Sequence, residues 1–181
     1  MVKNQFRENV GTLYVADATE SGGVLTYGTP REVSGISKVG TAYTKPLTEV
    51  FESGSAAYSR YNIVKATVTV ETQTMSHAER MKQFHGLTAP AGSDPYEIGG
   101  LTDQPNRQAI GWYVKLNGGG YLCRWFYDAI AAPPDESEET SDDNGPKLSA
   151  ASIEYTCKRA PGTGYIKREK IVPDMTAVAA F

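Results

Sequence analysis

An alternating run of apolar and aromatic residues around a glycine-rich reversal, at residues 110–127, constrains the fold more than any other feature. Its first half places the large apolar side chains on one face of a strand: Ile110, Trp112, Val114 and Leu116. Residues 117–120, Asn-Gly-Gly-Gly, then reverse the chain where glycine accepts positive φ, and a second aromatic run follows. This pattern predicts a β-hairpin. Both tryptophans lie in it, so we expect it to form the centre of the core.

Other segments also alternate with a period of two residues. Residues 63–73 place four apolar side chains on one face: Val64, Ala66, Val68 and Val70. Residues 148–159 do the same: Ala151, Ile153, Tyr155 and Cys157. Shorter strands are predicted at residues 11–17, 24–27, 31–33 and 165–172. Strands dominate the chain, which predicts a mainly β protein, a β-sandwich or flattened barrel of two packed sheets.

One α-helix interrupts the strands, and we expect it to flank the sheets at about residues 76–85. Ser76 and Glu79 form a capping box, in which each side chain can satisfy the other's free backbone N–H group. The only two histidines of the chain also lie in this segment: His77 and His85. They are about two turns apart and roughly 80° apart around the helix axis, so they are not expected to bind one metal ion.

Residues 40–61 show no sustained period, although they contain four aromatic residues: Tyr43, Phe51, Tyr58 and Tyr61. Long loops are uncommon in compact domains and are usually functional arms or disordered segments. Disordered segments rarely contain this many aromatic side chains. Two interpretations remain open: an arm that becomes ordered against a neighbouring subunit, and a long hairpin folded on its own domain.

The 181 residues fit one domain, residues 1–181, with a sizeable core. Residues 132–146 form an acidic loop with six acids in nine positions, and it lacks the ligand spacing of an EF-hand. We interpret it as a solvated loop. Residues 160–181 form a C-terminal extension. A basic cluster near the C-terminal end is expected to face acidic surfaces of neighbouring subunits: Lys158, Arg159, Lys167, Arg168 and Lys170.

Composition and motifs argue against several classes of function. A net charge of −3 gives no general attraction to nucleic acid or anionic membranes. No apolar run approaches the roughly 20 residues that cross a bilayer. The chain has no Gly-x-Ser-x-Gly elbow, no phosphate-binding glycine loop and no Cys-x-x-Cys pair. We therefore expect no enzymatic activity, and no catalytic residue, cofactor or metal ion.

The N-terminus lacks the apolar segment of a signal peptide, so we expect the chain to be made and folded in a cytosol. Thiols stay reduced in that compartment. Cys123 and Cys157 are therefore expected to be free, small core residues, with a disulfide as the alternative.

The order of these features resembles the major tail proteins, or tail tube proteins, of phages with long non-contractile tails. It comprises an N-terminal Gly-Thr-Leu-Tyr-Val-Ala strand, a long arm, the alternating strand at 63–73 and a helix that begins Ser-His-Ala-Glu-Arg. The Trp/Tyr-rich hairpin follows, and then the strand Lys-Leu-Ser-Ala-Ala-Ser-Ile-Glu-Tyr-Thr at 147–156. The resemblance spans about residues 11–159.

The resemblance implies a structural virion protein that self-assembles into hexameric rings, stacked into a hollow tube through which DNA is ejected. It also implies tape-measure, distal tail and tail-terminator proteins as partners, assembly in the host bacterial cytoplasm, and residues 40–61 as the stacking arm. The contact residues expected in the arm are Tyr43, Pro46, Phe51, Tyr58 and Tyr61. The acidic balance of the chain is compatible with a lumen that does not bind phosphate.

The alternative from another class is a β-sandwich binding module for carbohydrate or a host surface. Three aromatic residues of the hairpin would hold the ligand: Trp112, Tyr113 and Trp125.

Overall fold

A computed structural model describes residues 7–33, 35–52, 55–72, 86, 105–132, 151–179 and 181. Within these residues the protein is mainly β, as the sequence predicts, with eleven strands and one short helix. The strands are β1 (Arg7–Ser21), β2 (Val24–Tyr27), β3 (Arg31–Val33), β4 (Ile36–Thr44), β5 (Leu47–Glu52), β6 (Ser55–Tyr61), β7 (Lys65–Thr72), β8 (Arg107–Leu116), β9 (Tyr121–Ala131), β10 (Ala151–Lys158) and β11 (Lys167–Val172). The helix, α1, is Met175–Ala179.

Nine strands form one antiparallel sheet. Seven of them follow the order β2-β1-β8-β9-β10-β7-β4, while β3 pairs with β1 and β11 pairs with β9. The predicted hairpin is confirmed as β8 and β9, which lie in the middle of this sheet. Two long strands each have two partners along one edge. β9 pairs with β11 through residues 121–126 and with β10 through residues 128–131, and β1 pairs in the same way with β2 and β3. The other two strands, β5 and β6, form a separate two-stranded sheet.

The hydrophobic core lies on one face of the nine-stranded sheet, which we call the inner face. Five strands contribute most of its buried side chains: Leu13, Val15, Ala66, Val68, Val70, Ile110, Trp112, Val114, Phe126, Ala129, Ala131, Ile153, Tyr155 and Cys157. Strands from both halves of the sheet share this cluster, and Tyr43 of the end strand β4 packs against it, so the sheet curls around its core. Among the described strands β2 pairs only with β1 and β4 only with β7, so the curled sheet is not a closed barrel.

Most predicted strands are confirmed, and β2 and β3 have the predicted bounds. The largest difference concerns residues 40–61, where the structure has the end of β4 and all of β5 and β6. A period of two residues arises when one face of a strand is buried in a core. β5 and β6 lie outside the nine-stranded sheet, so their pairing leaves no such pattern in the sequence.

The helix predicted at residues 76–85, with both histidines, lies outside the described residues, as do residues 133–146 of the acidic loop. The described helix α1 instead falls in the C-terminal extension. Asp174 caps it, because its carboxylate accepts a hydrogen bond from the Ala177 N–H at 2.8 Å. No helix in the described part of the chain is long and apolar enough to span a membrane.

Both cysteines are free and buried, as predicted. Cys157 lies opposite Ala129 of β9. Cys123 lies six positions before Ala129 on β9, which corresponds to about 20 Å along the strand. A disulfide between them is therefore geometrically excluded. Burial raises the pKa of the Cys157 thiol to about 12.

Candidate functional site

The residues predicted to form an arm are divided between the body of the protein and a separate hairpin. Residues 40–44 complete β4 and pair with β7, so this part of the predicted arm belongs to the main sheet. β5 and β6, which we call the ribbon, pair with each other from Leu47 and Tyr61 onwards. No other described strand pairs with them. The separate hairpin spans residues 47–61, a shorter segment than the predicted 40–61, and its role as an inter-subunit arm stays a prediction.

The ribbon continues the β4–β7 hairpin across a short interruption, residues 45–46 and 62–64, which we call the junction. The Val64 N–H donates to the Thr44 carbonyl at 3.0 Å, and the Asn62 N–H donates to the Pro46 carbonyl at 3.3 Å. Pro46 has no N–H, so the regular ladder breaks at this residue. The ribbon therefore extends past the ends of β4 and β7, by about 20 Å for strands of this length.

The base of the ribbon carries exposed apolar side chains. Pro46, a predicted contact residue, is exposed, and Leu47 beside it is 44% exposed. The alternation in residues 63–73 predicts Val64 on the inner face, but β7 begins at Lys65 and Val64 is 50% exposed in the junction. The other predicted contacts of the arm lie on the two ribbon strands: Phe51, Tyr58 and Tyr61.

Two predicted contact residues meet inside the subunit. The Lys167 Nζ lies 5.1 Å from the centre of the Tyr43 ring, which itself packs against the core. Lys167 also pairs with Glu169 at 3.0 Å, and Glu169 accepts a hydrogen bond from Arg124. Burial alone raises the pKa of Glu169, but the hydrogen bonds from Lys167 and Arg124 outweigh it and hold this pKa below its ordinary value. This network closes one end of the inner face.

The remaining basic residues of β11 face the opposite side of the sheet, because successive side chains of a strand alternate. Arg168 pairs in register with Trp125 on β9, and its guanidinium lies 4.8 Å from the centre of the Phe181 ring. Lys170 is exposed on the same side. The basic cluster predicted from the sequence is therefore divided between two faces, and its role in subunit contacts stays a prediction.

The opposite face of the sheet, the outer face, carries a cleft of about 500 Å³. Its floor consists of small residues on β1 and β8: Ala16, Ala109 and Gly111. Its walls are mainly aromatic: Tyr14, Tyr27, Tyr113, Trp125, Tyr127 and Phe181. All three aromatic residues predicted for a binding module border this outer cleft: Trp112, Tyr113 and Trp125. Trp112 has its side chain in the core, where it stacks on Phe126 at 5.6 Å.

A buried ion pair near the outer cleft was not anticipated from the sequence. Asp128 is 2% exposed, and its two oxygens accept hydrogen bonds from Arg107 Nε and Nη2, each at 2.6 Å. Arg107 also donates to Glu20 of β1. These contacts raise the pKa of Arg107, and the hydrogen bond to Asp128 has the largest effect. The pair joins the first residue of β8 to the part of β9 that lies at the register shift of the β8–β9 ladder.

A comparison with known protein families and with curated proteins finds no match. No described group of three or more His, Cys, Asp and Glu residues could hold a metal ion. Two features of the described residues remain as candidates for function: the projecting ribbon with its junction, and the outer cleft.

Proposed function

We propose that this protein is a structural subunit that assembles with copies of itself into stacked rings, as the tail tube of a phage with a long non-contractile tail. The observation that carries this proposal is the ribbon. It prolongs the β4–β7 hairpin beyond the main sheet, and no other described strand pairs with it.

An isolated two-stranded ribbon is marginally stable in water. Its outer edges present unpaired N–H and C=O groups, which readily pair with another chain. The exposed Pro46 and Leu47 at its base add apolar surface that contact with a neighbour would bury. These properties support a segment that becomes fully stable when it docks on another subunit.

Contact between the ribbon and a different surface of the neighbour is heterologous, and such contacts generate closed rings or open helical stacks. The sequence resemblance supplies the finer proposals: hexameric rings, a lumen for DNA, and tape-measure, distal tail and terminator proteins as partners in the virion. The net charge of −3 supports the lumen, because walls without excess positive charge do not retain phosphate.

Deletion of residues 47–61, with a short glycine link between β4 and β7, tests the proposal. The parent should form rings or hollow tubes of constant diameter in negative-stain electron microscopy as its concentration rises. The deletion variant should remain folded and monomeric, because β4 and β7 keep their pairing. Tyr165→Ser, which removes an exposed aromatic side chain outside the ribbon, is the control and should assemble normally. Long tubes formed by the deletion variant would overturn the assignment.

The second candidate is a carbohydrate-binding module, and the outer cleft favours it. Ligand pockets of 300–1,000 Å³ with aromatic walls and a few polar groups are typical of small-molecule sites. Tyr113 and Trp125 supply aromatic surface, and Arg168 supplies hydrogen-bond donors at the rim. A strictly monomeric protein whose tryptophan fluorescence responds to a glycan, with loss of the response in Trp125→Ala, would favour this function over assembly.

A further inference from the structure

The guanidinium of Arg159 joins two separate segments at the base of the ribbon. Its Nη2 donates to Asn62 Oδ1 at 2.8 Å and to the Ile63 carbonyl at 2.7 Å. Its Nη1 donates to the Gly164 carbonyl at 3.2 Å. Asn62 and Ile63 belong to the junction, whereas Gly164 belongs to the turn that follows β10. One planar group therefore holds three acceptors in a fixed geometry.

The segment from which Arg159 acts is rigid. β10 lies inside the main sheet, between β9 and β7. In the turn after it, the Ala160 N–H donates to the Tyr165 carbonyl and the Gly164 N–H donates to the Ala160 carbonyl, both at 2.9 Å. Ala160 is buried, and Gly164 has a φ of 70°, which favours glycine. Arg159 is thus fixed to the body on one side of the junction.

Among the described residues, few other contacts fix the angle of the junction. The backbone hydrogen bonds of Val64 and Asn62 cross it, and Pro46 has no N–H to donate a further one. Ile63 packs against the core, but its neighbour Val64 is half exposed. Without Arg159, a two-stranded ribbon attached in this way would change its direction readily, because segments with few buried contacts open at low free energy.

We propose that Arg159 is a positioning residue that fixes the direction in which the ribbon leaves the body. The proposal rests on the role of the ribbon in assembly. A ribbon already held in its docking direction loses less conformational entropy when it binds a neighbouring subunit, so assembly begins at a lower protein concentration. The side chain needs no contact with the neighbour to have this effect.

Hydrogen exchange of unassembled subunits, followed by mass spectrometry, measures how firmly Arg159 holds the ribbon. In Arg159→Ala, the amides of residues 47–61 should exchange roughly tenfold faster, while those of β8 and β9 keep their parental rates. The concentration at which tubes form should rise several-fold. Arg159→Lys keeps the charge but lacks the fork that bridges both segments, so it should restore only part of the protection.

Two further variants keep the test specific. Lys158→Ala removes the neighbouring exposed charge and should leave both exchange and assembly unchanged. Asn62→Ala should loosen the ribbon less than Arg159→Ala does. Combined with Arg159→Ala it should add nothing, because both changes break the same link.

The outcomes separate this proposal from the proposed function. If ribbon exchange is faster in Arg159→Ala but the parent protein never assembles, the positioning role of Arg159 stands and the proposed tail tube function is overturned. If ribbon exchange is unchanged in Arg159→Ala and the parent protein does assemble, only the positioning role of Arg159 is overturned. Uniformly faster exchange across β8, β9 and the ribbon would also overturn it, because Arg159 would then stabilise the whole fold rather than position one segment.

Discussion

Gly111 allows the Trp125 indole to lie directly on the sheet. The two residues are paired across β8 and β9, and a Cβ at position 111 would lie 2.4 Å from the indole Cδ2. A Cβ at position 11 of β1 would likewise overlap the ring of Tyr113. Two glycines therefore set where the aromatic walls of the outer cleft stand.

Gly111→Ala should destabilise the protein by about 1–3 kcal/mol, because the indole must move out of a packed position. Urea unfolding measures this free energy, and a shifted tryptophan emission spectrum should accompany it. Gly40→Ala is the matched control in a strand, since its Cβ would meet only the Thr69 carbonyl at 3.9 Å. It should change stability by less than about 0.5 kcal/mol. Equal effects of the two substitutions would contradict the packing argument.

At the scale of elements, β11 shows how one short strand serves both faces of a sheet. At the end of the inner face, Lys167 contacts Tyr43 and Glu169 contacts Arg124. On the outer face, the Arg168 guanidinium lies over the Phe181 ring. The strand thereby ties β9 to β4 and to the segment that follows α1. Residues 167–172 of the C-terminal extension are therefore part of the sheet.

The lowered pKa of Glu169 makes the attachment of β11 dependent on pH. A carboxylate with a depressed pKa stabilises the folded state above its unfolded pKa of about 4.3, and this stabilisation is lost as the pH falls through the folded value. Between pH 6 and pH 3 the parent should lose roughly 0.5–1 kcal/mol more than Glu169→Gln, after allowance for screening of a group about a third exposed. Parallel pH profiles from urea unfolding would refute this.

At the scale of the whole molecule, one curled sheet forms the folded body and the ribbon leaves it. The body has its own buried core. The ribbon has no described strand partner besides itself. If the proposed assembly is correct, we expect the body to fold before the ribbon docks on a neighbouring subunit.

Thermal unfolding should depend on protein concentration if the proposed assembly is correct. Rings bind only folded subunits, so mass action raises the unfolding midpoint as the protein becomes more concentrated. Over about a hundredfold range of concentration, calorimetry should show a rise of a few degrees for the parent. The variant without residues 47–61 should show none. A constant midpoint for the parent would count against self-assembly.

The sequence by itself determined the strand-rich class, the central hairpin and the buried faces of β7 and β10. Where one face of a strand is buried, hydrophobic alternation records that burial, as it does at Val68, Val70, Ile153 and Tyr155. The prediction of two free, buried cysteines, Cys123 and Cys157, is also confirmed.

Tertiary structure alone decided the features that lack such a record. The ribbon pairs through its backbone outside the core, so its side chains show no period. Arg107 meets Asp128 across 21 positions, and Arg159 meets Asn62 across 97. Strand order and sheet curvature determine which distant residues meet. No local sequence pattern encodes such pairs. The division of the basic cluster likewise depends on which face of β11 meets the core.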